Sequence, residues 1–245
     1  MKIYDTDFDH DKKDDNSPLT VADLRSNEII CNSLKNLTPE IPILSEENSY
    51  IPFKERSLWN EYWLIDPLDG TKEFIKKNGE FTVNIALIRD HKAVFGLINA
   101  SALSKIYWAY ENLGSFMINE RSKETKIQVS KKTNGTIKIV ASRSHPSNDL
   151  DKLLNKIKEY ELINIGSSLK FCLVASGKAD LYPRFGPTSE WDTAAGQAIV
   201  NFAGGEVVTL GNEPLVYNSK ESLRNPNFIV HKKNIDLSQY LEREK

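Results

Sequence analysis

The stretch Tyr62-Trp63-Leu64-Ile65-Asp66-Pro67-Leu68-Asp69-Gly70-Thr71 decides how this chain reads. Its first four residues are an apolar run short enough to be a buried strand. The next six set two carboxylates around a proline, which fixes φ, and a glycine, which allows a sharp bend. Delivered together, the carboxylates of Asp66 and Asp69 and the carbonyl of Leu68 can face one point. Convergent oxygens suit magnesium, which takes such ligands at roughly 2.0–2.1 Å in octahedral geometry. A surface turn would use the same residue types. Context favours a site: a strand leads in, and a short helix is predicted near Thr71, where the backbone N–H groups of Gly70 and Thr71 offer an anion site.

On the N-terminal side, Thr20 stands at a helix N-cap position with Asp23 three residues on, and a helix is predicted to about Leu37. Its apolar stripe is Val21, Leu24, Cys31 and Leu34, and Thr38-Pro39 ends it. The run Ile41–Leu44 reads as a strand that hands Ser45-Glu46-Glu47 to a strand end. The segment before, to about Asp15, is acidic and aperiodic, so it is expected to be a flexible start. Its alternating aspartates lack the glycine and final glutamate of a calcium loop.

On the C-terminal side, segments from Phe81 to Ile118 separated by polar turns predict an antiparallel meander. From about Ile137 the pattern becomes strand and helix in alternation, with helices expected at 147–160, 168–177 and 191–203. The last opens at Glu190-Trp191-Asp192 and closes at Gly204-Gly205. The expected organisation is therefore an N-terminal α+β half, residues 1–135, with a mostly antiparallel sheet, and a C-terminal α/β half, residues 136–245.

With 245 residues, 40% of them hydrophobic, the chain can bury a sizeable core. Its 32 basic and 34 acidic residues nearly cancel, so charge argues against nucleic acid as a partner, and no obligatory protein partner is evident. The two cysteines, Cys31 and Cys172, lie in apolar stretches and do not form a disulfide framework. No apolar run is long enough for a membrane span, and the opening residues lack a signal peptide's apolar core. A cytoplasmic protein is expected.

Several acidic positions support two readings. Glu46 is a ligand at a strand end or a solvated loop residue. Asp192 is a ligand or a favourable charge at a helix N-terminus. Asp23 is a functional carboxylate or the partner of the Thr20 cap. Arg143-Ser144-His145 reaches a ligand phosphate or caps the next helix. Phe171 and Tyr182 face a base or the core.

Taken together, Asp66-Pro-Leu-Asp-Gly-Thr71 and Trp191-Asp-Thr-Ala-Ala-Gly196 resemble the paired signatures of the inositol monophosphatase superfamily. Further stretches are similar to its bacterial 3′(2′),5′-bisphosphate nucleotidase branch: Asp15 to Asp23, Leu44-Ser-Glu-Glu47, Lys72-Glu-Phe-Ile75, Gly166 to Phe171 and Tyr182-Pro-Arg-Phe-Gly-Pro187. The resemblance implies the layered αβαβα sandwich of the sugar-phosphatase fold. It implies Glu46, Asp66, the Leu68 carbonyl, Asp69 and Asp192 as ligands of two or three magnesium ions. It implies catalytic roles for Glu46, for Thr71, which holds the attacking water, and for Asp23, which orients Thr71 and takes its proton. Substrate contacts are expected from Glu46, Leu68, Asp69, Gly70, Thr71, Ser144, Ser168, Lys170, Arg184 and Asp192.

The implied reaction is hydrolysis of the 3′-phosphate of adenosine 3′,5′-bisphosphate to AMP, clearing a by-product of sulfate activation, with lithium inhibition. Inositol 1-phosphate hydrolysis and a non-catalytic metal- or nucleotide-binding relative are the alternatives, and association with the cytoplasmic face of the inner membrane is a second location. The haloacid dehalogenase pattern fits less well, because its second aspartate comes two positions after the first. Family members also usually carry a further helix ahead of Asn16-Ser-Pro18, which the chain begins too late to include.

Overall fold

A computed structural model describes residues 1–6, 10–12, 18–132, 135–144, 147–157, 159–233 and 235, with backbone alone at 10–12, 18 and 19. Asp15, Asn16, Ser17 and His145 lie outside the described residues.

The chain opens with β1 (His10–Lys12) antiparallel to β2 (Pro18–Thr20). Next comes α1 (Val21–Leu37), started by a capping box: the Thr20 hydroxyl accepts from the Ala22 N–H at 3.1 Å, and Asp23 Oδ2 accepts from the Thr20 N–H at 2.8 Å. It ends where the Thr38 N–H donates to the Leu34 carbonyl. The run continues as β3 (Ile43–Ser45), α2 (Phe53–Arg56), β4 (Glu61–Asp69), α3 (Thr71–Ile75), β5 (Thr82–Arg89), β6 (Lys92–Ala100), β7 (Lys105–Tyr110), β8 (Gly114–Ile118) and β9 (Glu124–Ile127). These strands form a seven-stranded sheet in sequence order. Its β3–β4 pair is parallel, and the other neighbours are antiparallel.

After it come β10 (Ile137–Ser142), α4 (Asn148–Lys156), β11 (Tyr160–Ile165), α5 (Leu169–Ala175), β12 (Leu181–Arg184), α6 (Glu190–Phe202), β13 (Gly205–Thr209) and β14 (Phe228–Lys232). They give a five-stranded mixed sheet in the order β11-β10-β12-β14-β13.

Contacts define the layers. Helix α1 packs on β4, while α6 packs on β5, β6 and β7 and also reaches β13. Helix α5 lies between α6 and the second sheet, touching β14, β10 and β12. On that sheet's other face, Leu153 and Leu154 of α4 join Ile139, Leu181 and Ile229. The sequence helix, sheet, helix pair, sheet, helix is the expected αβαβα sandwich. The main core fills the middle layer, where Phe171 stacks on Phe228 at 5.9 Å and meets Tyr182 edge-on at 5.4 Å.

Some expectations change. Within the start expected to be flexible, Ile3 and Tyr4 instead pack on Leu68, Phe74 and Phe81, with the Tyr4 ring 4.9 Å from that of Phe81. Burying those apolar side chains outweighs the acidic composition around them. The strand expected to stop at Ile65 runs on to Asp69 through a register shift between Asp66 and Asp69. Pro67 fits there because a bulge frees the residue from donating to the ladder. The helix expected to reach residue 160 ends at Lys156, since the chain re-enters the sheet at Tyr160. The meander gains β9, and α2 is a turn that the apolar pattern did not signal. Both cysteines are buried and free, and among the described residues no helix is long and apolar enough to cross a membrane.

Gly96 sets how closely α6 approaches the first sheet. A Cβ built there would stand 2.3 Å from the carbonyl oxygen of Ala195. We therefore expect Gly96→Ala to push α6 outward and lower the unfolding free energy by about 1–3 kcal/mol. Urea denaturation measures this, and an unchanged midpoint would show that α6 tolerates displacement.

Candidate metal and phosphate site

Two adjacent parallel strands create the site. In the β3–β4 register Ser45 pairs with Ile65, so the next residues, Glu46 just past β3 and Asp66 still within β4, stand side by side at the carboxyl end of that pair. Asn27 of α1 fixes β3 there by accepting the Ser45 hydroxyl at 2.7 Å, and Ser26 donates to the Pro67 carbonyl at 2.8 Å. The register shift then turns Asp69 toward the second sheet. Gly70 adopts φ +87°, a region that only glycine enters cheaply, and a Cβ there would meet the Glu80 carbonyl at 3.0 Å.

The acidic groups converge from three directions. Asp66 is 1% exposed and Oδ1 accepts the Leu68 N–H at 3.0 Å. Asp69 Oδ2 accepts the Ser168 N–H at 2.5 Å. Asp192, in the first turn of α6, accepts the Ser189 N–H at 2.8 Å. Glu46 lines the same cavity from a single 3₁₀ turn after β3.

Burial and mutual repulsion govern their protonation. Burial, then Glu46, Asp69 and Asp192, hold the Asp66 carboxyl well above the usual carboxylate range. Burial, then Asp69 and Glu46, push Asp192 up to about 8. Burial raises Asp69 as well, against the pull of Lys170, the Ser168 N–H and Asn84. Hard oxygen donors that destabilise one another's charge suit a divalent cation. Among the described residues no three acidic, histidine or cysteine side chains are gathered into a ready metal cluster. Like charges are relieved by turning onto backbone N–H groups instead, as the three hydrogen bonds above show.

Beside this cluster, the Thr71 hydroxyl lies 3.4 Å from Asp23 Oδ1 and 3.3 Å from the Leu68 carbonyl. Asp23 is 1% exposed, and its other oxygen accepts both the N–H and the hydroxyl of Thr20. The capping role is realised, and it leaves Oδ1 directed at Thr71. The Leu68 side chain packs in the core while its carbonyl faces the threonine.

The cavity, about 270 Å³, is lined by Glu46, Asp69, Gly70, Thr71, Ser168, Lys170, Arg184 and Asp192 among the expected residues, while Asp66 and Leu68 are buried behind that lining. Lys170 is buried, its Nζ donates to the Ser167 carbonyl at 2.5 Å, and burial lowers its pKa to about 8. Arg184 donates to the Pro187 carbonyl at 2.8 Å. The Ser168 hydroxyl is spent on Asn84 and Thr82, each at 2.7 Å, leaving its N–H to orient Asp69.

Ser144 falls outside the lining, because its hydroxyl bonds to Glu73, and Ser142 lines the cavity in its place. Arg143 neither binds the cavity nor caps a helix: it pairs with Glu80 through two bonds of 2.7 and 2.8 Å, while Ser147 holds the N-cap position of α4. Phe171 and Tyr182 border the cavity, yet both are 2% exposed and belong to the core.

Residues that the sequence reading did not select include Glu73, Asn84, Trp191 and Arg224. Glu73, Trp191 and Arg224 line the cavity, and Asn84 supports Asp69 and Ser168. Asn84 had a signal: with Thr82 it is polar at alternate positions that continue inward as Ala86 and Ile88, near the strand end opposite Asp69.

The Inositol monophosphatase family matches residues 1–241. The 3′(2′),5′-bisphosphate nucleotidase CysQ of Salmonella typhimurium is 47% identical over 94% of this chain and 92% of its own length. Its counterpart in Haemophilus influenzae is 39% identical over 94% and 86%. The crystal structure of CysQ from Bacteroides thetaiotaomicron, described as a bacterial member of the inositol monophosphatase family, superposes with a TM-score of 0.84 at 43% identity, covering 96% of this chain and 92% of that one.

The raised carboxyl of Asp192 fixes the sign of a pH effect. Between its ordinary 3.8 and about 8 the folded, metal-free protein holds a proton that the unfolded chain has lost. Unfolding free energy should therefore fall as pH rises through that window. Asp192→Asn should flatten the slope, and saturating magnesium would largely abolish it were Asp192 a ligand, because a cation would replace the proton. Denaturation midpoints of the metal-free protein at several pH values test this, and stability rising with pH would contradict it.

Proposed function

The chain belongs to the inositol monophosphatase family, and from that premise we propose that it is a magnesium-dependent 3′(2′),5′-bisphosphate nucleotidase acting on adenosine 3′,5′-bisphosphate. The observation that carries this reading is the Asp23–Thr71 pair beside the buried acidic groups, its Thr71 lining a cavity that also presents several cations. The nucleotidase assignment draws on the CysQ relatives, which match along almost the whole chain. Residues 1–135 would supply Asp23, Glu46 and the Asp66–Thr71 segment, and residues 136–245 would supply Asp192 and the substrate-facing side chains.

Glu46, Asp66, Asp69, Asp192 and the Leu68 carbonyl would hold two or three magnesium ions. Bound there, magnesium supplies charge neutralisation and lowers the pKa of water. The remaining work belongs to the chain. Thr71 accepts a hydrogen bond from the attacking water while its own hydroxyl donates to Asp23 Oδ1, and Asp23 takes up the proton released along that path. Its burial and its two bonds from Thr20 hold the carboxylate in one orientation. The Gly70 and Thr71 N–H groups approach the phosphate at the start of α3. Attack by water is direct, so no phosphoenzyme forms.

Lys170, Arg184, Arg224 and Lys72 on the lining suit the second phosphate, and Trp191, half-buried there, offers an aromatic face to the base. A cytoplasmic setting, where this nucleotide would be cleared, completes the proposal.

Magnesium-dependent phosphate release from adenosine 3′,5′-bisphosphate should exceed that from inositol 1-phosphate on the same preparation. The reverse order would make the chain an inositol phosphatase, and binding without turnover would make it a sensor. Asp69→Asn should reduce turnover by about 100-fold or more while the fold persists. Asp23→Asn should slow hydrolysis about 100-fold yet leave magnesium affinity nearly unchanged. Near-normal rates in either variant would remove that residue from the reaction.

A further inference from the structure

We propose that Arg56, which lies outside the cavity lining, is a positioning residue for the phosphatase site and acts on Asp192 through Asn218 and Glu190. The inference rests on the metal-site reading above and goes beyond it.

Arg56 ends the one-turn helix α2 and is 2% exposed, its guanidinium 4.9 Å from the Phe53 ring centre. A buried guanidinium needs its donors matched, and here Nη1 and Nη2 are matched while the buried Nε has no hydrogen-bond partner. Nη1 donates to Asn218 Oδ1 at 2.5 Å and to the Lys220 carbonyl at 3.2 Å, and Nη2 donates to the Glu221 carbonyl. Asn218 answers by donating Nδ2 to the Arg56 carbonyl at 2.5 Å. Its backbone N–H then donates to Glu190 Oε2 at 2.8 Å. Glu190 is buried too and stands two positions before Asp192.

The segment 217–225 that Arg56 grips contains no helix or strand, only an isolated antiparallel bridge between Ser189 and Arg224, so side-chain bonds join a few backbone bonds in fixing its path. It crosses the start of α6. The Glu190 N–H donates to the Leu223 carbonyl at 2.9 Å, and Asn225 Nδ2 donates to the Ser189 carbonyl at 2.7 Å. Ser189 is the residue whose N–H holds Asp192. The same strap carries Arg224 onto the cavity wall, where Nη1 reaches the Ser189 hydroxyl at 3.2 Å. A charge in the first sheet's half thereby sets the orientation of a ligand in the second. Groups that orient ligands in this way typically alter metal affinity about 10–100-fold when removed.

The test measures the magnesium dissociation constant by calorimetry beside kcat and KM. Arg56→Met and Asn218→Gly should each raise the magnesium dissociation constant about 10-fold, with a smaller loss of kcat at saturating magnesium. Asn218→Gly guards against a variant that fails to fold, because glycine accepts the φ of +53° at that position and leaves the N–H bond to Glu190 in place. Arg56→Lys, which keeps the charge and a donor for Asn218, should recover part of the loss. Lys232→Met breaks the buried ion pair with Asp180, 2.6 Å, outside the cavity lining, and should cost stability without changing magnesium affinity.

Wild-type magnesium affinity in folded Asn218→Gly, or an equal loss in Lys232→Met, would reduce Arg56 to a structural role and overturn the inference. Asp192→Asn, measured in parallel, separates the two readings: unchanged magnesium binding there would sink the site assignment itself and this inference with it.

Discussion

Repulsion among carboxylates buried close to one another is the constraint to which the rest of this structure answers. Asp69 and Asp192 raise the pKa of Asp66, Asp69 raises that of Asp192, and Glu46 adds to both. Each of the three aspartates accepts a backbone N–H, from Leu68, Ser168 and Ser189 respectively. Main-chain donors are well suited to this task, because they are fixed by the bulge, the turn before α5 and the cap of α6. They hold the oxygens in place without immobilising long side chains, which is the organisation that electrostatic catalysis requires.

A second set of bonds joins the two sheets around the cavity. Glu73 holds Ser144, and Glu80 holds both Arg143 and the Gly166 N–H, the latter at 2.8 Å. Gly166 has no room for a side chain, since a Cβ would come within 2.7 Å of Glu73 Cγ. The carboxylates come from the first half and the donors from the second. An exposed ion pair contributes little by itself, but Glu80 is largely buried and its two oxygens serve several donors at once. These contacts fix the distance between the walls that a phosphate would have to bridge.

Much of the fold was legible because its signals are local. The capping box at Thr20, the apolar run before Asp66 and the glycine pair after α6 each act over a few residues, and the corresponding elements form. The parallel β3–β4 pair, the continuation of β4 through Pro67 and the single turn of α2 depend on distant neighbours, so periodicity alone could not specify them. The site was legible to the same degree. Asp66, Asp69 and Thr71 are contiguous, whereas Arg143 looked like a phosphate ligand or a cap until Glu80, far away in sequence, was seen to claim it. Phe171 and Tyr182 offered aromatic chemistry that core packing absorbs. Arg56 carried no signal, since an isolated arginine reads as a surface residue and only the path of 217–225 buries it.

Asp192 completes a cluster whose other members lie between residues 46 and 69, and it arrives on a helix wedged between the two sheets. A ribosome that has released the first half has therefore made the acids but not the chamber. Before α6 docks, the segment from 46 to 69 lacks the Asp192 carboxylate that adds to the raised pKa of Asp66. The acidic groups thus acquire their full mutual repulsion only with closure of the middle layer, a step that waits for the chain's later half.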